Sequence, residues 1–190
     1  MWRLEVSLAR ITGVFATLML SVVPAYADGS ITPFLGYNFG GDSGNCVSLT
    51  DCQEKHMNFG LAIRSSGRVL GLEEELSYAR DFFGTGSDNS VLTVMTNLIV
   101  TIPIGPIQPY VAGGIGLIRS HATYNPLQIT TSKSAFGRDF GGGLTIMFGR
   151  AGLRGDLRHF HASDSVTSFL VFNPEKLDFW RASAGITFKY

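Results

Sequence analysis

Leu153 to His161 carries Arg154, Asp156 and Arg158 at every second position, a spacing that puts all three on one face of an extended strand. Leu153, Gly155 and Leu157 fall on the other face. A row of opposite charges cannot sit in the core of a water-soluble sandwich, because burying an unpaired charge costs far more than packing around it returns. It can line a wet or salt-bridged lumen. Glu73 and Glu75 share a face of Val69 to Phe82 in the same way, and Arg181 shares a face of the last run with Ser183 and Thr187. These six residues are expected to form one lumen charge network, whose chemistry is ion pairing or, in a wider interior, an ion path.

Cys46 and Cys52 are the other chemically distinctive pair, in a segment rich in Gly, Asp, Ser and Asn. In an exported chain they meet an oxidising compartment, and a local disulfide pinning one loop is expected. Two thiols are too few for a metal centre, and the nearest histidine, His56, completes no familiar zinc spacing. No metal and no cofactor are predicted. Lys and Arg total 15 against 15 for Asp and Glu, so no basic field exists to attract nucleic acid.

The N-terminus supports export. Met1 to Arg10 carries Arg3 and Arg10, Ile11 to Val23 is almost wholly apolar, and Ala25-Tyr26-Ala27 has small residues where a signal peptidase needs them. Cleavage is expected after Ala27, with residues 28–190 forming one domain. Ile11 to Val23 falls short of the ~20 apolar residues that cross a bilayer as a helix, and no later stretch is long enough. A mature chain that spans a membrane must therefore span it with strands.

Beyond residue 27 the dominant period is two. Ile31, Leu35, Tyr37 and Phe39 oppose Thr32, Gly36 and Asn38, and Met57, Phe59, Leu61 and Ile63 oppose Asn58, Gly60, Ala62 and Arg64. Leu70, Leu72, Leu76, Tyr78 and Phe82 oppose Glu73, Glu75, Ser77 and Asp81, with Glu74 breaking the rule on the apolar face. Leu92, Val94, Leu98, Val100 and Ile102 oppose Thr93, Met95, Asn97 and Thr101. In Ile107 to Arg119 one side is nearly bare, with Ala112, Gly114 and Gly116 leaving room for bulky neighbours in a narrow barrel. Ser120 to Ser134 is expected to be a loop before Ala135 to Phe148, and the chain ends with Trp180, Ala182, Ala184, Ile186, Phe188 and Tyr190 alternating against Phe179, Arg181, Ser183, Gly185, Thr187 and Lys189.

These runs amount to about eight strands of roughly ten residues, enough to cross an apolar band when tilted. Short turns near 65–68, 103–106 and 149–152 alternate with mostly longer connections near 40–56, 83–89, 120–134 and 162–178. A soluble ligand-binding barrel also alternates, but it turns its apolar face inward. Here the face opposite Leu, Val and Ile carries Gly, Thr, Ser and charge, while the chain as a whole is 45% hydrophobic and only 16% charged. The predicted fold is all-β: an eight-stranded antiparallel up-and-down transmembrane β-barrel, closed because lipid offers no partners for open sheet edges. Tyr37, Phe39, Tyr78, Phe82, Trp180 and Tyr190 are expected in its interface girdles, Trp180 toward the outer rim and Tyr190 at the periplasmic one.

Residues 28–190 resemble the eight-stranded outer-membrane β-barrel proteins of Gram-negative bacteria, the OmpA-like and OmpX-like porin-family barrels. The resemblance is carried by Leu72-Glu73-Glu74-Glu75-Leu76-Ser77-Tyr78, by Pro109-Tyr110-Val111-Ala112-Gly113-Gly114-Ile115-Gly116, by Gly152-Leu153-Arg154-Gly155-Asp156-Leu157-Arg158, and by Ala184-Gly185-Ile186-Thr187-Phe188-Lys189-Tyr190. It implies an outer-membrane location, lipid and the barrel-assembly machinery as partners, and a monomer. Phe188 and Tyr190 would supply the C-terminal assembly signal. It also implies a structural or surface-interaction role carried by the outer loops, with an unidentified surface ligand; the alternative is a narrow channel for small solutes. Some barrels of this size resemble lipid A deacylases, with a His-x-Ser pair and a later Glu, and His161-Ala162-Ser163 and Glu175 follow that order. Ser163 would be the nucleophile, His161 the base and Glu175 the orienting acid. Glu175 follows Asn173-Pro174 rather than lying in the last strand, and the three are expected to be ordinary loop residues of a protein that is not an enzyme.

Overall fold

The computed structural model describes residues 28–43, 57–67, 69–82, 89–124, 129–165 and 177–190. Eight strands follow in chain order: β1 (Asp28–Phe39), β2 (Met57–Ser66), β3 (Leu70–Arg80), β4 (Asn89–Thr101), β5 (Ile107–Tyr124), β6 (Ile129–Phe148), β7 (Ala151–Ser165) and β8 (Asp178–Lys189). Each pairs antiparallel with its sequence neighbours, and β8 returns to β1, with Ile31 opposite Phe188 and Phe39 opposite Trp180. The sheet is a closed up-and-down barrel, so no strand presents an open edge along its shared length.

Alternation sets the two walls. Val111 and Leu153 are 61% and 58% exposed on the outer wall, while Glu73 and Asn97 inside are 0% exposed. The apolar face therefore points outward and the polar face inward, the reverse of a soluble barrel. Glu74 does lie on the outer wall, where its carboxylate accepts a 2.8 Å hydrogen bond from the Thr96 hydroxyl on β4. The near-bare face of β5 works as its composition suggests: a Cβ added to Gly114 or Gly116 would run into the side chains of Asn97 and Met95.

The two ends differ. β4 passes to β5 through Ile104 and Ile107, and β6 to β7 through Gly149, with Gly105 and Gly149 at φ of 63° and 71° where only glycine turns without strain. Residues 28 and 190 lie at this same turn end. The connections at the other end, the loop end, are mostly longer.

Three expectations need correction. The segment Ser120 to Ser134 is not a loop throughout, because β5 continues to Tyr124 and β6 begins at Ile129, paired with each other from Tyr124↔Ile129 inward. Among the described residues Ile129–Ser134 pairs with β5 alone. Likewise β7 runs on to Ser165, into the expected connection. Beyond the lipid a strand needs no apolar face, so pairing persists after the alternating signal has faded. The third concerns Phe82, which is 1% exposed inside the barrel rather than in a girdle. Asp81, at φ 53°, breaks the extended chain after β3 and turns the next side chain inward. An L-residue there carries left-handed strain, so Asp81→Gly should leave the urea midpoint unchanged or higher, whereas Asp81→Val should cost about 1–2 kcal/mol.

Candidate functional site

Inside the barrel, at mid-height, four guanidinium groups meet four carboxylates: Arg64, Arg154, Arg158 and Arg181 with Glu73, Glu75, Asp139 and Asp156. Inward positions of β2, β3, β6, β7 and β8 supply them. Glu73 is the hub. Arg154 reaches it with both terminal nitrogens, at 2.6 and 3.0 Å, Arg158 donates from Nη2 at 2.5 Å and Arg64 from Nε at 3.0 Å. Arg158 spends its other donors on Asp156 Oδ1 at 2.9 Å and Asp139 Oδ2 at 3.1 Å, and lies 3.4 Å from Glu75. Arg181 donates to Glu75 at 2.6 Å and to the Ser77 hydroxyl at 3.0 Å.

The remaining strands close the layer. Tyr110 of β5 donates its phenol to Asp156, accepts from Arg154 Nε at 2.6 Å, and lies under the Arg64 and Arg154 guanidinium groups at 4.6 and 4.8 Å from its ring centre. Arg181 sits against Phe34 of β1 and Phe160 of β7, at 4.9 and 4.6 Å. Asn97 of β4, with its amide oriented to satisfy both neighbours, donates to Asp139 and accepts from Arg158 at 2.8 Å. Charges buried this deeply hold only when each has partners of good geometry.

Between the network and the loop end lies an apolar plug. Ala79, Phe82, Val91, Met95, Ile118, Phe160, Ala162 and Phe179 form one buried cluster. Phe160 and Phe179 stack with ring centres 5.0 Å apart, and Phe82 meets Phe179 edge-on at 4.8 Å. A hydrated ion crossing the barrel would have to displace these rings and then break the charge layer. Eight strands leave an interior just wide enough for side chains, and these side chains occupy it.

The structure thus brings together all six lumen residues named from sequence, Glu73, Glu75, Arg154, Asp156, Arg158 and Arg181, and adds Arg64, Asp139, Tyr110 and Asn97. Asp139 had a legible signal: with Phe136, Phe140 and Leu144 facing out, its odd-numbered neighbours Gly137, Gly141 and Gly143 face in with it. Phe188 and Tyr190 lie on the outer wall at the turn end, 50% and 61% exposed, and Tyr190 covers Gly29 of β1. Cys46, Cys52 and Glu175 fall outside the described residues.

His161 lies on the outer wall near the loop end. Its Nδ1 is 3.1 Å from Asp178, whose other oxygen is 2.6 Å from His159 Nε2. Asp178 opens β8 directly opposite His161. Partial burial pushes the Asp178 carboxyl up, but the hydrogen bonds to His161 and His159 prevail and hold it below its ordinary value. Just below, His159, Phe140 and Trp180 form an aromatic cluster, with His159 and Trp180 4.7 Å apart.

Comparisons agree with this architecture. Neisserial surface protein A, NspA, superposes with a TM-score of 0.65 at 11% identity, covering 85% of this chain and 97% of its own. The attachment invasion locus protein Ail of Yersinia pestis, solved with the heparin analogue sucrose octasulfate, gives 0.53 at 16% identity over 85% and 99%. A major outer membrane protein of Thermus thermophilus gives 0.55 at 11% identity over 87% and 100%. No curated relative matches the sequence. At these identities the structures share the fold alone. The family described as the outer membrane protein beta-barrel domain, in contrast, matches residues 13–190, nearly the whole chain, and the protein belongs to that family.

Proposed function

We propose that this barrel anchors an outer-membrane surface protein whose work is done by its loop-end connections, in a structural or surface-interaction role rather than in transport. The observation that carries the proposal is the filled lumen, with a charge-paired layer to which every strand contributes and an apolar plug beside it. A barrel that passes nothing must act through its outside. The loop-end part of the β5–β6 hairpin and the long connections are then the contact surface, facing the medium, with the short turns in the periplasm. Ail, of the same fold, carries attachment in its name and was solved with a bound heparin analogue.

Cells displaying the protein test this. Shortening the connections at 40–56 and 166–177 to tight turns, and trimming the loop end of the β5–β6 hairpin, should leave heat-modifiable migration intact while abolishing adherence to heparin-coated and cell-monolayer surfaces. Unchanged adherence would remove the surface role. The exposed pair Phe188 and Tyr190 supports recognition of the last strand during assembly, so Tyr190→Asp should reduce inserted protein severalfold, more than any of those loop changes. Normal insertion of that variant would contradict it.

One observation favours a second activity. Asp178 holds the His161 imidazole from Nδ1, the acid and base of an acyl-ester hydrolase, and Ser163 stands two residues further along the sequence. Mass spectrometry of lipid A from expressing cells decides it: loss of one acyl chain, restored by His161→Ala, supports the activity, and an unchanged profile removes it.

A further inference from the structure

A cavity of about 190 Å³ lies in the barrel mouth at the turn end, on the side of the charge layer away from the apolar plug. Its lining has a definite sign. Arg64, Arg154 and Lys189 contribute to it, and no carboxylate does. The rest of its polar wall consists of hydroxyl and amide groups, among them Thr32, Thr187 and Gln108.

Arg154 is fully engaged by Glu73, Tyr110 and Asp156, but Arg64 is not. Arg64 is 8% exposed and donates from Nε to Glu73, while its buried Nη2, 2.9 Å from the same carboxylate oxygen, makes no aligned hydrogen bond. Lys189, at the rim, forms no ion pair with any described residue. Thr32 and Thr187 share a single 2.9 Å hydrogen bond between their hydroxyls, which leaves one of the two protons free to donate. A buried guanidinium with an unmet donor, a second cation at the entrance and hydroxyl donors between them form the donor set an oxyanion requires.

We infer that this mouth is a binding site for a small soluble oxyanion, a phosphate or a compact carboxylate, reached from the periplasmic side. The charge layer and the plug close the cavity behind it, so the site holds its anion rather than passing it on. Arg64 binds from the floor, Lys189 attracts and covers at the rim, and Thr32 and Thr187 orient the oxygens.

The test is calorimetric titration of the purified, folded protein in detergent micelles with inorganic phosphate, at constant ionic strength in chloride. One saturable site is expected. Arg64→Gln should weaken it roughly tenfold or more, the loss of a charge-assisted donor, and Lys189→Gln about three- to fivefold. Arg138→Gln, on the outer wall, should leave it unchanged. Should Arg64→Gln fail to fold, Lys189→Gln still decides, because its side chain has no part in the charge layer. Absence of saturable binding by phosphate, acetate or succinate overturns the inference, as does binding that Lys189→Gln leaves intact. Binding of short-chain phosphatidic acid without binding of inorganic phosphate would overturn the assignment to a soluble anion.

Discussion

Arg158→Met is expected to lower the unfolding free energy by about 3–5 kcal/mol, seen as a large fall in the urea midpoint of heat-modifiable migration in lipid vesicles. The size follows from what Arg158 serves. It is fully buried and touches Glu73, Glu75, Asp139 and Asp156, so methionine leaves four carboxylates sharing three guanidinium groups in an interior that water cannot fill. The loss comes from stranded charge, since a complete buried ion pair is itself worth little over a packed apolar substitute. Adding Asp139→Asn should therefore recover part of the stability, because it removes one of the uncompensated carboxylates. If Arg158→Met unfolded at the wild-type urea concentration, the network would be solvated and the lumen wet.

Gly141→Leu should prevent the barrel from closing, while Gly155→Leu should be tolerated within ~0.5 kcal/mol. Both glycines lie in the shared length of β6 and β7. The first faces the lumen, where an added Cβ would overlap the Leu157 carbonyl and lie 2.8 Å from the Arg158 Cα; the second faces outward and would meet nothing within 4 Å. Expression with a C-terminal-strand control, followed by migration with and without heating, separates them. Equal loss of folded protein in both variants would mean that the inner and outer walls are assigned wrongly.

Much of this was legible in the residues. The charges Arg154, Asp156 and Arg158 declare their face because the period of a strand is two, and Leu153 and Leu157 between them declare the opposite face. What escaped were features that do not live in one strand. Asp139 and Tyr110 join the network through β7, where Arg158 takes Asp139 and Arg154 and Asp156 take Tyr110, so only the register between strands reveals them. Phe82 misleads because a single left-handed residue, Asp81, reverses the phase of the alternation. The loop-end part of the β5–β6 hairpin was hidden for another reason: outside the membrane a strand is free to be polar on both faces, and the pattern that marks strands disappears while their hydrogen bonds remain. Asp178 as the partner of His161 depends on the register of β7 with β8, which spacing along the chain cannot reveal.

The claim that organises the rest is that the lumen is closed. Single-channel recording from purified protein in planar lipid bilayers tests it most directly: the predicted result is a silent membrane with no unitary current steps, with steps emerging only when Phe82, Phe160 and Phe179 are cut back to alanine and Arg158 to glycine. Reproducible unitary steps from the unmodified protein, altered in size by changes at Glu73 or Arg158, would contradict it.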